Sequence, residues 1–217
     1  MNGVSQKPEN EWPPSLEHVA YHEAGHAVLQ HVYGLTASIR IEADALEGGK
    51  AWGAEHVAKP YCDSIIKGEP PTGPTPTEAE LGEALAILLA GEAAYHIWYE
   101  SSEDTENVVR RWRQAQHDDL VNSDRRYREV YLACKVATHF FNDDTERACD
   151  FVVARQQAAS KALQKSWYGV KALAAGVLAN YWTSARNRAF QNREVRDYGL
   201  LTEEDVADFL KRALHEQ

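Results

Sequence analysis

The chain has 217 residues, 44% apolar and 26% charged, a balance that excludes a short disulfide-stapled peptide, a collagen-like repeat or wholesale disorder. Acidic residues outnumber basic ones by 33 to 23, for a net charge of -10, which argues against a nucleic-acid scaffold. The most apolar stretch, residues 84–91, stops at Glu92 and falls far short of the roughly 20 residues that span a bilayer.

Residues 1–14 are polar and proline-containing, without the apolar core of a secretory signal, and we read them as a flexible lead-in to a cytoplasmic protein with no membrane partner. Ser15 stands where a helix cap belongs, and Leu16, Val19, Ala20, Ala27, Val28 and Val32 follow at helical spacing before Gly34, predicting a first helix of about five turns. Residues 37–42 and 51–57 carry β character around Leu46-Glu47-Gly48-Gly49, which predicts a small element of two to three strands. Residues 59–75 hold Pro60, Pro70, Pro71, Pro74, Gly68 and Gly73 and read as a long surface loop.

Thr75-Pro76-Thr77-Glu78 is a helix start, with Thr75 as cap and Pro76 at the first position, and this helix is expected to reach about Glu100. Helical periodicity continues over 104–116, 118–140 and 144–190, interrupted near Asn142-Asp143, and a last helix is expected from about Thr202. The fold class is therefore mainly α, and residues 15–217 read as one domain. Arg110, Arg111, Arg113, Arg125, Arg126 and Arg128 are interleaved with acids and read as solvated helix surface. Cys62, Cys134 and Cys149 form no CxxC pair and read as reduced core thiols. Trp12, Trp98, Trp112, Trp167 and Trp182 read as packing anchors.

The chemistry is concentrated in His22-Glu23-Ala24-Gly25-His26, an HExxH pattern inside the first helix. Residues four apart lie one turn apart on one face, so both imidazoles reach a single tetrahedral Zn2+. Glu23 beside them is the candidate catalytic residue, able to deprotonate a water whose pKa zinc lowers from near 16 to about 7. Gly25, unfavourable in a helix interior by about 1 kcal/mol, has a use if another backbone packs closely there. His18 continues the ladder a turn earlier and reads as an exposed or supporting group, whereas His31 points elsewhere.

Two histidines leave the site short of a protein ligand. The best candidate lies in Gln116-His117-Asp118-Asp119-Leu120. If one helix runs onward from there, Asp119 shares a face with Tyr127, Val130 and Cys134, whereas Asp118 aligns with Asn122, Arg125 and Glu129. That phase points Asp119 inward, with helix capping by the acidic pair as the alternative. His117 is a further candidate.

Residues 19–28, VAYHEAGHAV, resemble the zinc-site helix of the peptidase domain of FtsH-type AAA proteases. Ser38-Ile39-Arg40-Ile41 and residues 48–53 are similar to the strands that follow it, and Leu88-Leu89-Ala90-Gly91-Glu92-Ala93-Ala94 and residues 170–178 resemble later helices. Asp118-Asp119-Leu120 falls where the family carries Asn-Asp-Leu, so the resemblance implies Asp119 as third zinc ligand beside His22 and His26. It implies a helical zinc-dependent metalloendopeptidase with Glu23 as general base, acting on peptides or unfolded proteins, with a separate unfoldase or a specific protein partner and with homo-oligomers among its associations. The chain departs from the family at Glu92, where arginine is usual, and at Tyr95-His96, which replaces an acidic pair. Asp44 and Ala51 rule out a GxxxxGK[ST] phosphate loop around Gly49-Lys50, so the expectation is a stand-alone, ATP-independent peptidase. Substrate is expected as an extended strand beside residues 51–57, with Trp52 near the cleft or as an ordinary packing aromatic. Alternative readings are an ImmA/IrrE-like repressor-cleaving HExxH protein, marked by a third ligand close after His26, and a non-catalytic zinc-stabilised interaction module.

Overall fold

The computed structural model describes residues 15–42, 49–53, 56–99, 105–114, 127–191 and 198–215, with backbone alone at 49, 50, 52, 53, 105, 106, 186–191, 198, 214 and 215. The lead-in expected at 1–14 and the side chain of Trp52 lie outside the described residues. Helix α1, Leu16–Val32, begins as expected: the Ser15 side chain accepts a hydrogen bond from the His18 N–H at 3.2 Å, a cap worth about 1 kcal/mol. Its end is set by Gly34, whose φ of 74° is left-handed.

The chain then enters β1, Ala37–Glu42, which pairs antiparallel with β2, Gly49–Gly53, in the register Ile39↔Ala51. On its other side β1 pairs antiparallel with β3, Tyr198–Leu201, giving the order β2-β1-β3. Ile39 and Ile41 are fully buried while Arg40 is exposed, the alternation of a sheet with one covered face. β2 is described over Gly49–Gly53 rather than 51–57, and residues 56 and 57 are not strand.

Residues 59–75 do not form one long loop. Lys59–Lys67 is helix α2, with proline in its first turn and Gly68 closing it at φ 75°. Pro60 sits where its missing N–H is no loss, and Tyr61, Cys62 and Ile65 supply a buried face. Irregular chain follows only from Gly68, tied back by the Thr72 N–H to Ser64 Oγ at 3.2 Å. The next helix, α3, is Glu78–Leu88, and its cap is Thr77 rather than Thr75: Glu80 donates its N–H to Thr77 Oγ1 and returns a carboxylate to the Thr77 N–H. That reciprocal pair satisfies two orphan donors, which Thr75 followed by Pro76 does not.

Helix α3 does not run unbroken to Glu100. Leu89 interrupts it, and α4, Ala90–Tyr99, continues with its small residues Ala90, Gly91, Ala93 and Ala94 buried against α1. Helices α5, Thr105–Gln114, and α6, Arg128–Phe140, follow. The break expected at Asn142-Asp143 is present, both residues having positive φ. The long segment beyond it divides at Ser166 into α7, Thr145–Lys165, and α8, Trp167–Gln191, because α7 packs on α5 and α6 whereas α8 packs on α1. Helix α9, Glu203–His215, starts where expected, with the Thr202 hydroxyl accepting from the Asp205 N–H.

The chain is thus mainly helical with a small antiparallel sheet. One buried cluster joins α1, the sheet, α8 and α9, and another joins α2, α5 and α6. Helices α3 and α7 bridge them, with Ala86 and Ala159 in the first and Leu85 and Val152 in the second, while α4 belongs to the first. Cys62, Cys134 and Cys149 are free and buried. Trp112 is a core residue, whereas Trp182 is exposed. Among the described residues, no helix is long and apolar enough to cross a membrane.

Candidate metal centre

α1 supplies two ligand candidates and a candidate base. His22 and His26 lie one turn apart, with their Nε2 atoms 3.2 Å from each other. Glu129, in the first turn of α6, meets both: its Oε1 is 3.1 Å from His22 Nε2 and 3.0 Å from His26 Nε2. A tetrahedral zinc ion with bonds of 2.0–2.1 Å needs donors roughly 3.3 Å apart, so the three atoms stand close to the spacing that such an ion requires. They are the one group of three such donors found among the described residues.

Three further observations fit a cation here. Glu129 Oε2 is buried and has no hydrogen-bond partner among the described residues, a costly state for a carboxylate oxygen unless a cation compensates it. The Nδ1–H of His26 donates to the Ile87 carbonyl at 2.8 Å, which fixes the tautomer that leaves Nε2 free to ligate. Gly91 of α4 stands against both rings, since a Cβ there would fall 2.4 Å from His22 Nε2 and 2.5 Å from His26 Nε2. Gly25 has the use expected of it: a Cβ at that position would meet the Ala90 carbonyl and the Ala94 side chain at 2.5 Å, so its absence brings α1 and α4 together.

The charges are strongly coupled. Burial opposes a positive His22, but the Glu129 carboxylate outweighs it and raises the imidazole to about 10. His26 is raised in the same way. Burial alone would push Glu129 up, yet the two imidazoles hold its carboxyl far below the usual range. Without metal, the triad therefore keeps protons that a cation must displace. Glu23 is buried and raised, chiefly by desolvation, with the imidazoles and a hydrogen bond from the Ala51 N–H acting the other way. Ala51 lies on β2, at the edge of the described sheet.

Of the residues singled out from sequence, His22, Glu23 and His26 come together. His31 is exposed at the far end of α1. Asp119, with Asp118 and His117, lies outside the described residues. Glu129 is the donor that periodicity missed. Carrying helical phase from residue 119 onward placed it on the outward face, but the described helix begins at Arg128, so its phase is its own. Within α6, Glu129 heads a stripe completed by Ala133 and Val136, both fully buried. An acid at the head of an apolar i, i+4, i+7 stripe is the signal that could have found it. Glu92, the departure from the FtsH pattern, is buried and paired with His96 at 2.9 Å.

No protein-family model matches the chain, and no curated protein matches it by sequence. The functional reading stands on the geometry of the site and on the motif.

Proposed function

We propose that this chain is a zinc-dependent endopeptidase that hydrolyses peptide bonds without itself consuming ATP. The observation that carries the reading is the meeting of Glu129 with the HExxH pair across 103 residues of sequence, with the buried Glu23 adjoining. His22, His26 and Glu129 would hold Zn2+, which supplies polarisation of the scissile carbonyl and acidification of a water. Glu23 takes a proton from the attacking water and returns it to the leaving nitrogen. Burial makes this carboxylate a stronger base than an exposed one. The Ala51 N–H reaches Glu23, so β2 turns backbone groups toward the base, an arrangement that favours an extended substrate added along that edge. Peptides and unfolded segments are the substrates such an edge accommodates.

The resemblance of residues 19–28 to the FtsH zinc helix supports the same reading, and the three buried free cysteines accord with a reducing, cytoplasmic setting. A donor so distant from His26 favours this over the ImmA/IrrE-like alternative, which requires one close by. The test is zinc stoichiometry of the wild type, His26→Ala and Glu129→Ala, with cleavage of unfolded casein measured on the same samples. One zinc per wild-type chain, lost from both variants together with cleavage, is the expected result. Wild-type protein that takes up no zinc in zinc-replete buffer would overturn the assignment, and zinc with no cleavage would point to a non-catalytic zinc-stabilised module.

A further inference from the structure

His18 lies on the same face of α1 as the two histidines of the centre, one turn nearer the N-terminus, with its ring 6.4 Å from that of His22. It is not among the three side chains whose donor atoms lie within 4.8 Å of one another. Its ring is nonetheless held in place. Tyr95 of α4 stacks on it at 4.0 Å and an interplanar angle of 20°, and Tyr99 stacks on Tyr95 at 5.6 Å and 16°. A second stack alongside, Trp98 on Tyr21 at 4.9 Å and Tyr21 on Trp167 at 5.8 Å, backs the first through the contact of Tyr95 with Trp98.

Stacking uses the faces of an imidazole and leaves its edge, where the N–H lies, for another partner. No described residue hydrogen-bonds to either ring nitrogen of His18, whose backbone N–H goes to Ser15. The ring is half-buried and nevertheless keeps an uncommitted donor.

Its position round the helix gives this donor a purpose. At 3.6 residues per turn, Glu23 lies about 100° from His22 on the side facing β2, whereas His18 lies about 40° to the opposite side. The base and the imidazole therefore flank the two ligand histidines from opposite directions. Peptide hydrolysis needs that division: a base on the side of the attacking water, and a donor for the carbonyl oxygen as it gathers negative charge.

We infer that His18 is a catalytic residue of this site, donating its ring N–H to the oxygen of the scissile carbonyl. The assignment rests on the peptidase reading and adds to it the group that stabilises the charge developing on substrate. A preorganised donor of this kind strengthens as the oxygen becomes anionic, so its loss falls on kcat more than on KM.

The experiment compares full-length, zinc-loaded wild type with His18→Phe, which keeps a ring for Tyr95 to stack on but has no N–H, and His18→Gln, which restores a donor. Zinc content, peptide cleavage and calorimetric binding of a phosphonamidate peptide, a tetrahedral mimic of the reacting carbonyl, are measured on each. Expected for His18→Phe are one zinc per chain, kcat lower by about 100-fold with KM within about twofold, and phosphonamidate affinity weakened by a similar factor. His18→Gln is expected to recover part of both losses. Wild-type rate and phosphonamidate affinity in His18→Phe would overturn the role of His18 and leave the peptidase reading standing. Loss of zinc from both variants would also overturn it, making His18 part of the metal's own support. A wild type that holds zinc but neither cleaves peptide nor binds the phosphonamidate would remove the peptidase reading, and the role of His18 with it.

Discussion

Glu129 Oε1 touches two imidazoles while Oε2 is buried without a partner among the described residues, an asymmetry that a cation at the HExxH pair would account for. A hydrogen-bonded carboxylate with no further task would have its second oxygen satisfied or in water. Replacing Glu129 with Gln should weaken zinc binding by more than the roughly 10- to 100-fold that loss of an outer partner costs, as measured by competition with a chelator. Glu23→Gln should retain zinc and lose hydrolysis, by at least the ~10²-fold that a general base supplies. Undiminished turnover in that variant would exclude Glu23 as the base. At Gly91 the argument is one of space: a methyl group would stand 2.4–2.5 Å from both Nε2 atoms, so Gly91→Ala should keep its helical circular dichroism and lose its zinc. A Gly91→Ala protein with full zinc would show that the rings yield and that the glycine is not needed for clearance.

Between elements, the decisive contact is that of α1 with α4. Gly25 admits the Ala90 carbonyl, and the small residues of α4 repeat that close approach down the interface. A Cβ at Gly25 would meet backbone, which cannot rotate aside, so Gly25→Ala should cost more than the ~1–3 kcal/mol of ordinary overpacking. A urea midpoint unchanged from wild type would contradict this. Several elements were legible from local signals: α1 from Ser15 and its spacing, the α6–α7 break from Asn142-Asp143, and α9 from Thr202. Helix α2 is masked in the sequence by Pro70, Pro71 and Pro74 close after it, although Pro60 is harmless in a first turn. The breaks at Leu89 and Ser166 carry no proline or glycine of their own and follow from how the flanking helices pack.

For the whole molecule, a metal held by His22, His26 and Glu129 would compete with protons for the same side chains. His22 is raised from 6.5 to about 10, so the stability that it lends the metal-free protein is complete below pH 6.5 and is lost as pH rises toward 10. His26 and Glu23, both raised, act in the same direction. Glu129 is lowered, and its contribution is present above 4.5 and disappears as pH falls below that. Chelator-treated protein should therefore melt at progressively lower temperature from pH 6.5 to 9, while zinc, which replaces those protons, should restore more stability the higher the pH. Calorimetric scans with and without chelator, together with proton release on zinc addition, measure both effects. A melting temperature of the chelated protein that does not change with pH would refute the coupling of Glu129 to the two histidines.

What the sequence by itself determined is local. The mainly helical class, the placing of His22, Glu23 and His26 on one helix and the need for a close neighbour at Gly25 depend on residues within a turn or two of each other, where periodicity and capping dominate. Tertiary structure alone decided the rest. Glu129 becomes a partner of His22 and His26 only when the first turn of α6 comes within side-chain reach of the middle of α1, and β3 becomes a strand only when β1 offers it an edge. His18 becomes a pinned donor only when Tyr95 covers its face. Each of these depends on contacts between segments distant in the chain, whose free energy comes from packing and desolvation; a period in the sequence can mark a buried face but not the segment that covers it.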